Sequence, residues 1–408
     1  MDINLDRIAV LGTGITGSAV VAKLAQWGRV PVSPELADVV VVSPGIPPEQ
    51  YPACHGTIMS EIEFAYQLFQ REATPPELIA VTGTNGKSTI TAMIAHILSI
   101  PYAGNIGVPL IEWVGQNASR IVVEVSSYQL ETVIDFRPEV AVITNITPDH
   151  LERHKTMDRY AQAKAAVFRN QRPDDTLIVL AGDKWIDGIL EGARANQRSI
   201  GTDDALTHLV ADHARCAQAT GNGMGLIGAH NHLNAAMAIA ACVPFGMSPG
   251  MALDRLTSYQ PLPHRMEWVA TIDGRLFFDD SKATNPESTL VAVAAFDQPV
   301  HLIVGGKDKG LALESFMQTL FTSVATITVY GEIGDRVMAV ASGERCPIPI
   351  HQCVTLDEAT RYAFDQSRSG DVILMSPACS SFDQFRDFNH RGDHFKDYVR
   401  SQIIATSN

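Results

Sequence analysis

A strand, a glycine turn and a helix follow one another between residues 78 and 98. Leu78-Ile79-Ala80-Val81 is a short apolar run that reads as a buried strand. Thr82-Gly83-Thr84-Asn85-Gly86-Lys87-Ser88-Thr89 is a turn that ends in a cation and two hydroxyls, and Ile90 to Leu98 has helical spacing. This combination is a phosphate cradle. Backbone N–H groups point inward, the helix N-terminus favours an anion, the lysine neutralises phosphate charge, and the hydroxyl can hold Mg2+. The glycines stand closer together than in the general G-x-x-x-x-G-K-[ST] form, so spacing alone leaves a plain strand–turn–helix corner as the competing reading.

The chain before this stretch reads as a small α/β unit. Residues 7–11 form a strand, Gly12-Thr13-Gly14-Ile15-Thr16-Gly17 is a G-x-G-x-x-G turn, and a helix runs to about Trp27. Val39-Val40-Val41-Val42 is a buried strand ending in Ser43-Pro44-Gly45-Ile46-Pro47, and Ser60 caps a helix to Gln70 with Glu63 three residues on. The segment between the first helix and Val39 is too short for a full βα unit. That disfavours a nicotinamide dehydrogenase, which would rest on residues 12–17 alone. Arg71-Glu72-Ala73-Thr74-Pro75-Pro76 reads as a linker.

Beyond the cradle, Gly104-Asn105-Ile106-Gly107 is a turn, and residues 120–127 read as a central strand with Glu124 near its carboxyl end. Ligands of parallel sheets sit outside that end of the strands, and a carboxylate there is costly to bury unless paired or metal-bound. Glu124 is therefore a candidate Mg2+ ligand. The strand at residues 140–146 ends in Thr147-Pro148-Asp149-His150, placing His150 on the same rim. Lys164 lies in a helix expected from Tyr160 to Phe168; its alanine-flanked pattern alone reads as a solvated lysine. Residues 177–183 form a further strand and turn. Asn231 and Asn234 share a face of an alanine-rich helix ending near Cys242. Residues 259–265 look like a second linker. Strands at 276–280, 300–304, 325–330 and 371–375 then end in polar loops, the pattern of a doubly wound sheet with one anion-binding rim.

The chain has 408 residues, enough for two or three domains, and a net charge of −14. That charge argues against nonspecific binding of nucleic acid or an anionic membrane. The six cysteines are scattered without a C-x-x-C pair, so neither a zinc site nor a disulfide framework is expected, and a reducing cytoplasm fits. Residues 1–7 do not read as an export leader, and no apolar run reaches membrane-spanning length.

The order of these pieces resembles the Mur ligase superfamily. The resemblance rests on Gly-Thr-Asn-Gly-Lys-Ser-Thr (83–89), Gly-Asn-Ile-Gly (104–107), Glu-Val-Ser-Ser-Tyr-Gln-Leu (124–130) and Asn-Ile-Thr-Pro-Asp-His (145–150). It continues through Ala-Lys (163–164), His-Asn-His-Leu-Asn (230–234), Leu-Pro-His-Arg-Met-Glu (262–267), Asp-Ser-Lys-Ala-Thr-Asn (280–285), Gly-Gly-Lys-Asp-Lys (305–309) and Ser-Pro-Ala-Cys-Ser-Ser-Phe-Asp-Gln-Phe (376–385). In that superfamily the short glycine spacing is the normal cradle. The motifs at 280–285 and 376–385 resemble its D-glutamate-adding branch.

The resemblance implies an α/β fold in three domains. These are a shortened Rossmann-like domain for a uridine nucleotide (1–72), a central P-loop ATPase domain with a mainly parallel sheet (73–261), and a C-terminal Rossmann-like domain for the amino acid (262–408). It implies a cytoplasmic, monomeric ATP-dependent ligase joining D-glutamate to UDP-N-acetylmuramoyl-L-alanine in peptidoglycan precursor synthesis. Ligases for L-glutamate or folylpolyglutamate are the alternatives, and a non-ligase ATPase is more distant. Gly83, Thr84, Asn85, Gly86, Lys87, Ser88, Thr89, Asn234, Arg265 and Asp280 would serve ATP. Ser88, Glu124, His150 and a carbamylated Lys164 would serve two Mg2+ ions, with Lys87, Glu124, His150 and Lys164 as the catalytic set. Thr13, Ile15, Thr16, Asn105, Ser126 and Gln129 fall on the uridine-substrate side. Lys282, Thr284, Lys309, Ser381 and Phe388 fall on the glutamate side.

Overall fold

In the computed structural model, residues 3–219, 228–308, 310, 313–344 and 346–403 are described. Three α/β sheets follow one another along the chain. The first contains β1 (Ile8–Leu11), β2 (Val39–Val42) and β3 (Thr57–Ser60), all parallel in the order β1-β2-β3. The second contains β4 (Glu77–Thr82), β5 (Tyr102–Gly104), β6 (Arg120–Glu124), β7 (Val140–Ile143), β8 (Thr176–Leu180) and β9 (Asn196–Ile200). It is wholly parallel in the order β5-β6-β4-β7-β8-β9. The third contains β10 (Glu267–Ile272), β11 (Arg275–Asp279), β12 (Val300–Gly305), β13 (Thr326–Tyr330), β14 (Ile350–Gln352) and β15 (Val372–Ala378), in the order β10-β11-β15-β12-β13-β14. Only β10 runs antiparallel, as half of a hairpin turned at Asp273 and Gly274. Among the described residues no helix is long and apolar enough to cross a membrane.

These sheets belong to two compact units. Residues 1–224 and 232–259 carry the first two sheets; residues 225–231 and 260–408 carry the third. In the first unit one hydrophobic core spans both sheets, from Val20, Leu24 and Phe64 to Leu110, Ile111 and Phe136. Polar ties reinforce it. Ser60 caps the helix Glu61–Phe69 by accepting from the Glu63 amide, as its sequence indicates. The Glu63 carboxylate, however, does not close a capping box. It is buried and accepts from the amides of Ile134, Asp135 and Phe136 at 2.9, 3.0 and 2.9 Å. A carboxylate taken from water needs such donors.

Several expected boundaries move. The strand expected at 120–127 stops at Glu124, because Ser126 caps a short helix, Ser127–Leu130. The strand expected to 146 stops at Ile143, and Thr144 and Asn145 turn toward the glycine loop. The helix expected from Tyr160 to Phe168 runs from Met157 to Ala165, capped by Thr156. No strand forms between the first helix, Ile15–Gln26, and β2, consistent with the shortened first domain expected there.

Glu61, two residues before Glu63 in the chain, is also buried. One oxygen accepts from the Ile111 amide at 2.5 Å, while Oε2 has no partner. Burial, opposed by that amide and aided by Glu112, raises its pKa from 4.5 to about 7. The folded protein therefore keeps a proton that the unfolded chain releases. Stability is full below about pH 4.5, falls as pH rises toward 7, and levels off above. Glu61→Gln removes this contribution. The variant should match the wild type at pH 4.5 and exceed it at pH 8 by about 2–3 kcal/mol at most. Denaturant unfolding at the two pH values measures this, and parallel pH profiles for the two proteins would refute it.

Candidate active site

The glycine loop between β4 and the helix Lys87–Leu98 can hold its shape only with glycine at two positions. Gly83 has φ +140°, and a Cβ on it would lie 1.9 Å from Thr144 Oγ1. Gly86 has φ +84° and caps the helix, and a Cβ there would lie 2.7 Å from Asn234 Oδ1. Asn234, in the helix Ala229–Cys242, thus lies against the cradle.

The loop is pinned by the residues after β7. The Thr84 amide donates to the Asn145 carbonyl (2.8 Å), and the Asn85 amide donates to Asn145 Oδ1 (2.9 Å). In return, Asn145 Nδ2 and Thr144 Oγ1 donate to the Asn85 carbonyl at 3.1 and 2.5 Å. The Thr84 hydroxyl bonds the Thr147 carbonyl and lies 3.1 Å from the Tyr160 hydroxyl. Lys87 Nζ donates to the Thr84 carbonyl at 2.7 Å, which folds the cation back over the loop. Ser88 is buried in the first helical turn, and Thr89 is half-buried.

Lys164 is the largest departure from its pattern. It is buried, not solvated, and its Nζ donates to the Gly83 carbonyl at 2.6 Å, 4.4 Å from the centre of the Tyr160 ring. Burial and the nearby Lys87 charge hold its pKa well below 10.5, against the opposing pull of Asp149 and Glu124. The amine is accordingly driven toward its neutral form. Glu124, at the carboxyl end of β6, is also buried; Oε1 accepts from Asn105 Nδ2 at 2.8 Å and Oε2 has no partner. His150 is half-exposed and adopts a left-handed conformation, φ 54°, at the start of the helix Leu151–His154. Its ring nitrogens lie 3.6 Å from Asp149 and from Glu152.

The residues expected on the uridine-substrate side divide. Ser126 and Gln129 close a capping box on each other, and Asn105 steadies Glu124. Thr13 and Ile15 are exposed where β1 turns into its helix, Ile15 being 80% accessible, with Thr16 half-buried beside them. That turn requires Gly17, whose Cβ would fall 2.0 Å from the Gly12 carbonyl. Ser43, at the end of neighbouring β2, is buried with an unpartnered hydroxyl near Gly12 and Gly17.

In the second unit, Asp280 follows β11 and is buried. It accepts from Ser376 Oγ at 2.8 Å and from the Met266 amide at 3.3 Å, and burial raises its pKa to about 7. Half-buried Arg265 sits between His264 and Met266, both at positive φ. Lys282 Nζ stands 3.7 Å over the Phe388 ring, so two residues expected on the glutamate side meet. Thr284 is half-buried in the same loop, and Ser381 is buried after β15. Lys309 lies outside the described residues.

Some structural roles were not visible in the sequence. Arg391 is wholly buried and donates to Ser281 Oγ (2.9 Å), the Ser281 carbonyl (2.7 Å) and the Cys379 carbonyl (3.0 Å), tying together two loops that carry candidate residues. Helical periodicity could not flag it. Asn145 could have been found as an amide ending the strand next to the glycine turn. Among the described residues, the one metal-type trio is His264, Glu267 and Asp279. Its oxygens are already engaged by His264 Nδ1, the Ser281 amide and Lys396, so it reads as an ionic network.

Residues 81–242 match the Mur ligase middle domain, and residues 264–379 match the Mur ligase glutamate ligase domain. The chain belongs to the Mur ligase family. It is 36% identical over 401 residues to a UDP-N-acetylmuramoylalanine–D-glutamate ligase of Pelotomaculum thermopropionicum, covering 93% of this chain and 87% of that one. A protein of the same name from Geotalea uraniireducens is 38% identical over 387 residues, covering 90% and 84%. The fold is like that of MurF ligase from Thermotoga maritima, solved in complex with ADP (TM-score 0.64, 14% identity, 98% and 100% coverage). It is also like folylpolyglutamate synthase of Mycobacterium tuberculosis (TM-score 0.62, 14% identity, 82% and 94% coverage).

In this Mur ligase the amide of Asn145 shapes the cradle without being expected to touch the nucleotide. Asn145→Ala leaves the Asn85 amide and carbonyl without that partner. Affinity for ADP should fall about tenfold, on the order of 1–2 kcal/mol. Titration calorimetry checks this, and unchanged affinity would show that the loop holds itself.

Proposed function

We propose that the protein adds D-glutamate to UDP-N-acetylmuramoyl-L-alanine with hydrolysis of ATP to ADP and phosphate, in peptidoglycan precursor synthesis. The observation that carries the chemistry is the buried Lys164 amine on the Gly83 carbonyl of the phosphate loop. The substrates are those named for the relatives. We treat the three sheets as three domains, 1–72, 73–261 and 262–408, and take the enzyme to be a cytoplasmic monomer.

The nucleotide phosphates would lie on the amides of residues 83–89 at the helix N-terminus, with Lys87 released from the Thr84 carbonyl to neutralise them. The substrate carboxylate attacks the γ-phosphorus, ADP leaves, and an acyl phosphate forms. The glutamate amine then attacks the acyl carbon, a proton is lost from nitrogen, and phosphate departs from the tetrahedral adduct to leave the amide. Positioning and electrostatics supply most of the acceleration in such steps. Ser88, Glu124 and His150 would hold Mg2+, the unpartnered buried Glu124 oxygen being suited to a hard cation, and the ion would supply neutralisation of phosphate charge. A neutral Lys164 amine is the form that reacts with CO2, and the carbamate would add an anion to that set. Asn234, Arg265 and Asp280 would hold the rest of the nucleotide. Lys282, Thr284, Lys309, Ser381 and Phe388 would hold glutamate, and Thr13, Ile15 and Thr16 the uridine.

The decisive assay is phosphate release with ATP, Mg2+ and UDP-N-acetylmuramoyl-L-alanine plus D-glutamate, L-glutamate or neither. Release should require D-glutamate. Release without any amino acid would sink the ligase reading, and release with L-glutamate alone would reverse the stereochemistry. Lys87→Ala should abolish turnover. Lys164→Ala should lose about a hundredfold or more in kcat, several kcal/mol of transition-state stabilisation, and short carboxylates should restore part of it. A fully active Lys164→Ala protein would refute the carbamate.

A further inference from the structure

The turn that carries His150 is held in an unfavourable conformation. A non-glycine residue in the left-handed region costs about 1–2 kcal/mol, so contacts must hold it there. The His150 carbonyl accepts from the amides of Arg153 and His154, both at 3.1 Å. Both side chains then grip Glu131. Arg153 Nε lies 3.2 and 3.1 Å from the two Glu131 oxygens, Arg153 Nη2 lies 2.5 Å from Oε2, and His154 Nδ1 lies 3.4 Å from Oε1. The guanidinium also stacks 4.3 Å from the centre of the Tyr128 ring, which lies 4.9 Å from the His150 ring.

The remaining arm of Arg153 reaches elsewhere. Nη1 donates at 2.9 Å to the carbonyl of Pro44, in the turn after β2 of the first sheet. One residue before Pro44 is Ser43, whose buried hydroxyl has no partner. A planar guanidinium can serve a carboxylate and a distant carbonyl together; an ammonium cannot match that fork. The Arg153 side chain is largely buried, so these bonds are not the screened, weak kind found at surfaces.

We propose that Arg153, through Glu131 and Tyr128, couples occupancy of the turn at residues 43–47 to the position of His150. It is a positioning residue: filling the first sheet's turn steadies Pro44, Pro44 steadies the guanidinium, and the guanidinium steadies the His150 turn. This rests on the ligase reading, in which a uridine nucleotide occupies the first sheet.

The test is amide hydrogen exchange on the full chain with and without UDP-N-acetylmuramoyl-L-alanine, in the wild type, Arg153→Gln and Arg153→Lys. In the wild type the compound should slow exchange at residues 43–47 and at 149–154. In Arg153→Gln the protection at 43–47 should persist and that at 149–154 should vanish. Its kcat should fall about tenfold or more, while the KM for ATP stays within twofold. Arg153→Lys should keep some of the kcat and little of the remote protection. Should Arg153→Gln fail to fold, Glu131→Gln, which keeps one acceptor, should show the same loss of protection at 149–154. Protection at 149–154 that survives in these variants overturns the coupling alone. Absence of protection at 43–47 or at 149–154 in a wild type that still releases phosphate with D-glutamate also overturns the coupling alone, whereas loss of that release overturns the ligase reading.

Discussion

The hydrogen bond from Lys164 Nζ to the Gly83 carbonyl joins the helix Met157–Ala165 to the first residue of the phosphate loop. Its parts constrain one another. Gly83 can present that carbonyl only because it lacks a Cβ, and the space a Cβ would take belongs to Thr144. Thr144 is there because β7 stops at Ile143 and turns its next two residues into the loop. Lys164 can be buried because a carbonyl and an aromatic face receive it, and Lys87 nearby favours its neutral form. Loop shape, strand length and lysine basicity are therefore one arrangement.

What the sequence made legible follows from local signals. The β4–turn–helix unit, the Ser60 cap, the β1 turn and the four apolar strands β11, β12, β13 and β15 carry their pattern within a few residues. Strands without such a pattern went unread. β5 and β14 are three residues long, and β9 is exposed at four of its five positions as the edge of its sheet. β10 lies at the other sheet's edge with Trp268 exposed. Such strands are set by their partners rather than by an apolar run.

The candidate site divides along the same line. Glu124 and His150 could be placed on the rim because a strand's carboxyl end announces itself. The burial of Lys164 could not, since its acceptor lies 81 residues earlier in the chain. Ser126 and Gln129 show the converse. Their spacing is that of a capping box, and the structure uses them as one, so their first duty is to end β6 and start the next helix. A motif can thus match a family's pattern while its side chains are spent on local structure. Asn105 belongs to the same class, with its amide given to Glu124.

The first sheet poses the harder physical problem. With three strands and no βα unit between the first helix and β2, it would offer few side chains to the uridine nucleotide proposed to bind there. What it has is the Gly12–Gly17 turn, exposed Ile15, and the β2 exit with its unpartnered Ser43 hydroxyl. That exit is not held by its own sheet alone. Arg153 grips it from the helix Leu151–His154 that follows β7, and the two sheets share a single core. The turn after β2 thus takes part of its support from outside its own sheet. The same contact makes the state of the turn felt at His150, because the guanidinium that steadies one also holds the other.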